Sequence, residues 1–140
     1  MNDQQDVVNK IVKYLKDENE DYEVINALDN SEEHGTNMVS VALDSRTQVN
    51  VGLPDYRDDI SIYISTQITE DTTGELFKYT VNKIVKKLNE FVLRDKPLSM
   101  MFEEVPVVGF FFSSSEPMVV DDTYGKCYLA HLKYYAITSY

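Results

Sequence analysis

Between Asp58 and Leu93 the hydrophobic pattern changes period once, and the change separates a strand from a helix. Ile60, Ile62, Ile64 and Ile68 alternate with Ser61, Tyr63, Ser65 and Gln67, the period-two signature of a half-buried strand. From Phe77 the apolar positions become Phe77, Val81, Ile84, Leu88 and Phe91, a stripe along one side of a helix. Thr72-Thr73-Gly74-Glu75 has the form of a capping box, in which a Thr72 hydroxyl and the Glu75 carboxylate each satisfy a free amide. Arg94 and Lys96 suit the negative end of the helix dipole and Pro97 stops the helix. The spacing predicts a helix of about 21 residues, roughly 30 Å long at 1.5 Å per residue.

The rest of the chain is arranged around that unit. Val7, Val8, Ile11, Val12 and Leu15 predict a first helix from Asp3 to Asp17, ending in the acidic run Asp17 to Asp21. Tyr22 to Leu28 reads as a strand and Asp29 to Asn37 as a polar loop. Met38 to Leu43 and Thr47 to Leu53 read as two strands joined at Asp44-Ser45-Arg46. With the isoleucine strand these make an expected four-stranded antiparallel meander. Beyond Pro97 to Glu104, expected as a loop, Val105 to Phe112 is an almost unbroken apolar run. Ser113 to Pro117 reads as a break, Met118 to Val120 as a short strand, and Lys126 to Ser139 as a long aromatic strand after a turn at Asp121 to Gly125. The expectation is one α+β domain over residues 1–140, with a mostly antiparallel sheet of six or seven strands and two helices packed on one face.

One internal match stands out. Val8-Asn9-Lys10-Ile11-Val12-Lys13-Tyr14-Leu15 recurs as Val81-Asn82-Lys83-Ile84-Val85-Lys86-Lys87-Leu88. The flanks do not repeat, so duplication and convergence of two amphipathic helices both account for it. Either way, the two helices should bury similar faces.

Composition adds charge to this picture. The net charge is −11, and residues 1–60 hold fourteen acids against five bases, a net of −9. That balance argues against general nucleic-acid binding, which needs clustered Lys and Arg on phosphate. It fits a protein kept soluble by charge, or a surface past which DNA slides without being held. The single Cys127 excludes an internal disulfide and reads as a structural thiol in a strand, in keeping with a reducing cytosol. No apolar run is long enough to span a membrane and the start has no signal-peptide pattern, so a soluble protein, not secreted by the usual route, is expected.

The search for chemistry yields little. There is no GxGxxG or GxxxxGK[ST] loop. His34 lies beside Glu32, Glu33 and Asp29, but the loop context favours a solvated polar turn over a metal site, because no second histidine or HxxxH-type spacing supports ligation. Asp55, Asp58 and Asp59 crowd a turn with no burial to raise a carboxylate pKa. His131 reads as a packed or surface histidine, and Ser113 to Ser115 lack a nucleophile elbow. No catalytic residue, cofactor or metal is expected.

The strand Ile60 to Ile68 entering the Asp71-Thr72-Thr73-Gly74-Glu75 helix start, then Val107-Val108-Gly109-Phe110, Glu116 to Asp122 and Leu132-Lys133-Tyr134-Tyr135, resemble in order and character the tail terminator (tail completion) and neck proteins of long-tailed phages. The resemblance spans most of the chain. It implies a non-enzymatic virion protein, assembled in the host cytoplasm. Such a protein forms a ring, in the family a hexamer, that caps the tail tube, joins it to the head and lets DNA pass without specific binding. The aromatic excess then nominates Phe110, Phe111, Phe112, Tyr128, Tyr134 and Tyr135 as subunit contacts, and the acids Asp29, Glu32, Glu33, Asp55, Asp58 and Asp59 as channel lining. The alternative is a small acidic interaction or inhibitor protein that binds a basic partner.

Overall fold

The computed structural model describes residues 4–17, 22–29, 37–68, 73–121 and 127–140. The elements are α1 (Asp6–Asp17), β1 (Glu23–Asn26), β2 (Asn37–Gln48), β3 (Asp55–Gln67), α2 (Glu75–Val92), a one-turn helix α3 (Leu98–Met101), β4 (Val107–Asp121) and β5 (Cys127–Ser139). The chain is α+β. Its sheet has five strands in the order β1-β2-β3-β5-β4, and only the β1–β2 pair is parallel.

Five strands replace the expected six or seven because two expected breaks are bulges within continuous strands. Asp44-Ser45-Arg46 is no turn. β2 runs through it with a register shift between Leu43 and Ser45, since Arg46 is drawn inward to Asp58. The turn falls later, at 49–54, closed by the Val49 amide on the Asp55 carbonyl at 2.9 Å and by Gly52 at φ +80°. Likewise β4 crosses Ser113 to Pro117 with shifts after Phe112 and Glu116. At a sheet edge one side of the strand need not pair, so such interruptions are tolerated. The predicted antiparallel meander is corrected at β1, which runs parallel to β2.

The isoleucine alternation sets the core. Ile60, Ile62 and Ile64 pair with Tyr134, Leu132 and Ala130 on β5 and, on the other side, with Leu43, Val41 and Val39 on β2. Against this face lie Val7, Val8, Ile11, Val12 and Leu15 of α1 and Phe77, Ile84, Leu88 and Phe91 of α2, all buried in one cluster. Phe110 joins through its stack on Tyr134, ring centroids 5.3 Å apart. A buried polar chain ties α2 to the sheet: Thr66 donates to Asn37 at 2.8 Å, whose amide donates to Thr80 at 2.8 Å, whose hydroxyl donates to the Leu76 carbonyl at 2.9 Å. Each of these groups is satisfied inside, so burial does not leave them as a cost.

α2 has 18 residues. Its N-cap is Gly74, at φ +75° with no side-chain cap, where a Cβ would sit 3.5 Å from the Tyr128 ring. The proposed partner Thr72, with Asp71, lies outside the described residues, as does the acidic run 18–21. At the other end Arg94 takes the left-handed conformation, φ 62°, and its guanidinium donates to the Val108 carbonyl at 2.9 Å. Pro97 then begins α3 as its N-cap, where a missing amide proton costs nothing.

Candidate functional site

The helices cover one face of the sheet. The odd-numbered residues of β3 and β5 point the other way and form a polar, aromatic surface. Tyr63 and His131 are cross-strand partners and stack at 4.4 Å. His131 Nε2 lies 2.7 Å from Ser61 Oγ, and its Nδ1 lies 3.4 Å from a Glu116 carboxylate oxygen on the neighbouring β4. Ser61 Oγ also meets the Asp44 carboxylate at the β2 bulge. Further along, the Arg57 guanidinium sits 3.9 Å over the Tyr135 ring and contacts Asp59 at 3.1 Å, while Phe111 stacks on Tyr135 at 4.9 Å.

Ser61, His131 and Glu116 have the order and spacing of a nucleophile, base and orienting acid. Two features prevent that chemistry. Ser61 is 0% exposed, so no acyl group can reach its oxygen. Asp44 as a carboxylate only accepts, so the Ser61 proton goes to it and His131 must donate through Nε2–H rather than take a proton. The cluster links β2, β3, β5 and β4 side by side. Among the described residues no group of three or more His, Cys, Asp or Glu could hold a metal ion, and His34, Glu32 and Glu33 lie outside those residues.

The nominated contact residues separate. Phe110 and Tyr134 belong to the core and are corrected as surface candidates, because both are essentially inaccessible. Tyr128 is half-buried against Phe77 at 5.6 Å. Phe111 and Phe112 stay exposed at 40% and 44%, and Tyr135 is half-buried. Of the nominated acids, the Asp29 side chain, Glu32 and Glu33 lie outside the described residues. Asp58 is a correction: fully buried, it takes Arg46 Nε at 2.7 Å and Nη2 at 2.9 Å, so it faces no channel. Its hydrogen bonds hold the Arg46 guanidinium protonated well above the usual range, against the opposing effect of burial. Tyr56 and Tyr140 flank that guanidinium at 5.2 and 5.6 Å. Asp55 and Asp59 remain accessible at the sheet end. Asp55 titrates below its ordinary range because it accepts from Ser139 and Asn50. Cys127 is half-buried at the start of β5.

Sequence reasoning missed the Asp44–Ser61–His131–Glu116 cluster. Its signal was present as period-two neighbours within β3 and β5, but only the register Tyr63↔His131 brings them together. No protein-family model matches this chain, and no curated protein is significantly similar to it. No helix among the described residues is long and apolar enough to cross a membrane.

Proposed function

We propose that this chain is a structural subunit that works by docking protein surfaces, and that the assembly it builds is a tail terminator or neck ring of a long-tailed phage. The observation that carries the docking reading is the asymmetry of the sheet. One face carries the helices, and the other presents Phe111, Tyr135, Tyr63 and Arg57 with no helix over it among the described residues. Rigid aromatic and arginine side chains of this kind are enriched where proteins meet. The ring reading rests on the resemblance in element order, and the net charge of −11 agrees with a subunit beside which DNA moves freely. In this reading the accessible Asp59 faces the channel.

Sedimentation velocity and negative-stain microscopy of the purified chain, alone and with isolated phage tail tubes, test the reading. Six-fold rings, free or seated on tube ends, support it. A chain that ignores tubes and stays monomeric while binding basic proteins one to one overturns it in favour of an acidic interaction or inhibitor protein, which the same charge would serve.

A further inference from the structure

The repeated octet marks where the fold is left unsealed. In α1 its four apolar positions Val8, Ile11, Val12 and Leu15 are all buried. In α2 the equivalents Ile84 and Leu88 are buried, but Val81 and Val85 are only half-covered. They line a groove of about 540 Å³ between α2 and the β4–β5 edge, with Phe77, Ala130 and Leu132 as its other apolar surfaces. A second groove, sharing Asn82 and Val85, continues it along α2 toward Leu93. Glu116 lines the first groove and Glu90 and Asp95 the second, but Glu116 lies by His131 and Lys133 and Glu90 holds Lys96 at 2.7 Å, whereas no ion pair among the described residues takes the wall lysines Lys78 and Lys86. They belong to the 75–96 stretch, where six bases face three acids: +3, against −14 for the rest of the chain.

The complementary shape lies at the far end of the sheet. The β2–β3 turn carries Val49, Val51 and Leu53, each at least half-exposed and Val51 fully so, directly before the carboxylate of Asp55. Nothing among the described residues covers this apolar tip. Its base is level with Ser139 of β5, whereas the groove floor is level with Leu132, seven residues away. At about 3.3 Å per residue that is roughly 23 Å, and the tip points away, so it cannot fill its own groove.

We infer that the β2–β3 turn of one copy inserts into the α2/β4–β5 groove of the next, Val51 and Leu53 against Val81, Val85 and Leu132, with Asp55 toward Lys78 or Lys86. Tip and groove are different patches, seven residues apart along β5. The contact is therefore head-to-tail, and repetition gives a closed ring or an open filament according to the angle. A single turn in a groove is a small interface, so assembly deepens with concentration. The inference rests on the assembly reading proposed above and names the surfaces that reading leaves open.

The test uses the full chain, followed by sedimentation velocity over a concentration series. Val51→Asp with Leu53→Asp removes the tip, and Val85→Asp with Lys78→Glu removes the groove. Val51, Leu53 and Lys78 are exposed and Val85 is half-buried, and circular dichroism checks that each variant folds. Each variant alone should associate about a hundredfold more weakly than wild type. An equimolar mixture of the two should form dimers and stop there, because only one intact tip and one intact groove remain per pair. Wild-type oligomers unchanged by either pair of substitutions overturn the inference and leave the assembly reading standing. A wild type that stays monomeric at the highest concentration overturns the inference, and one that also forms no ring on tube ends overturns the assembly reading with it. As an independent measurement, V51C with N82C in a Cys127→Ser background should give disulfide-linked copies on mild oxidation, and a chain that remains uncrosslinked while it oligomerises rules the contact out.

Discussion

The two faces of the sheet are built from alternate residues of the same strands, yet they are held by different physics. On the covered face Ile60, Ile62 and Ile64 lose all contact with water against α1 and α2. On the open face Arg57 meets Asp59 and lies over Tyr135, which stacks on Phe111. Burial is proportional to area and penalises any void, whereas exposed polar contacts exchange readily with water. Changes on the covered face should therefore unfold the protein, and changes on the open face should alter what it binds while leaving the fold intact.

The largest effect should come from the Arg46–Asp58 pair, buried within the covered face. Asp58→Ala leaves Arg46 beneath Tyr56 and Tyr140 without its carboxylate, and stability should fall by about 3–5 kcal/mol in urea unfolding. Replacing both residues, Arg46→Met with Asp58→Leu, should cost much less, since no charge is then stranded. If the single change costs under ~1 kcal/mol, the pair is solvated in practice and the seal is incomplete there.

Next comes Leu88→Ala. Leu88 is fully buried under α2, and the truncation should cost about 2–5 kcal/mol through lost transfer energy and a cavity. The neighbouring Val85→Ala, at the open groove, should cost well under that, and equal losses at the two sites would contradict the unsealed groove.

Tyr134→Phe should act in the opposite direction. The Tyr134 hydroxyl is buried with no hydrogen-bond partner among the described residues, so deleting it should stabilise the fold by about 1 kcal/mol. Burial also pushes its pKa up from 10 to about 12. A folded pKa above the unfolded one means that this contribution is complete below pH 10 and is lost as pH rises toward 12. The variant should lose less stability across that window than wild type, and parallel alkaline curves would show that Tyr134 does not titrate there.

The covered face was readable from the sequence because apolar periodicity reports burial directly. The stripes of α1 and α2 and the isoleucines of β3 lie where their spacing put them. Two polar stretches misled the reading at Asp44-Ser45-Arg46 and Ser113 to Pro117, since turn-forming residues also occur at bulges, and only pairing partners tell the two apart. Asp58 was misplaced for a related reason: a carboxylate in an acidic run reads as exposed, and its bond to Arg46 twelve residues earlier is not a local pattern. The open-face cluster was unreadable because it spans β2, β3, β5 and β4, and its geometry comes from register alone.

The smallest effect should be on the open face, where Arg57 lies over Tyr135 at 3.9 Å and meets Asp59 at 3.1 Å. An exposed ion pair contributes about 0.2–1 kcal/mol and a surface cation–ring contact about 0.5–1 kcal/mol. The two share one guanidinium and are not additive. Removing the side chain also frees Asp59, which keeps its hydrogen bond from Ser45 at 3.3 Å and its access to water, so no buried charge is left behind. Arg57→Ala should thus cost about 1 kcal/mol or less, and the loss should shrink further in 1 M salt, where the Debye length falls to about 3 Å. In the same variant, binding to whatever docks on Phe111 and Tyr135 should weaken much more than stability does, because a rigid, partly desolvated arginine–aromatic stack is worth more inside an interface than on a free surface. An Arg57→Ala loss as large as that of Leu88→Ala would mean that the open face is a second core.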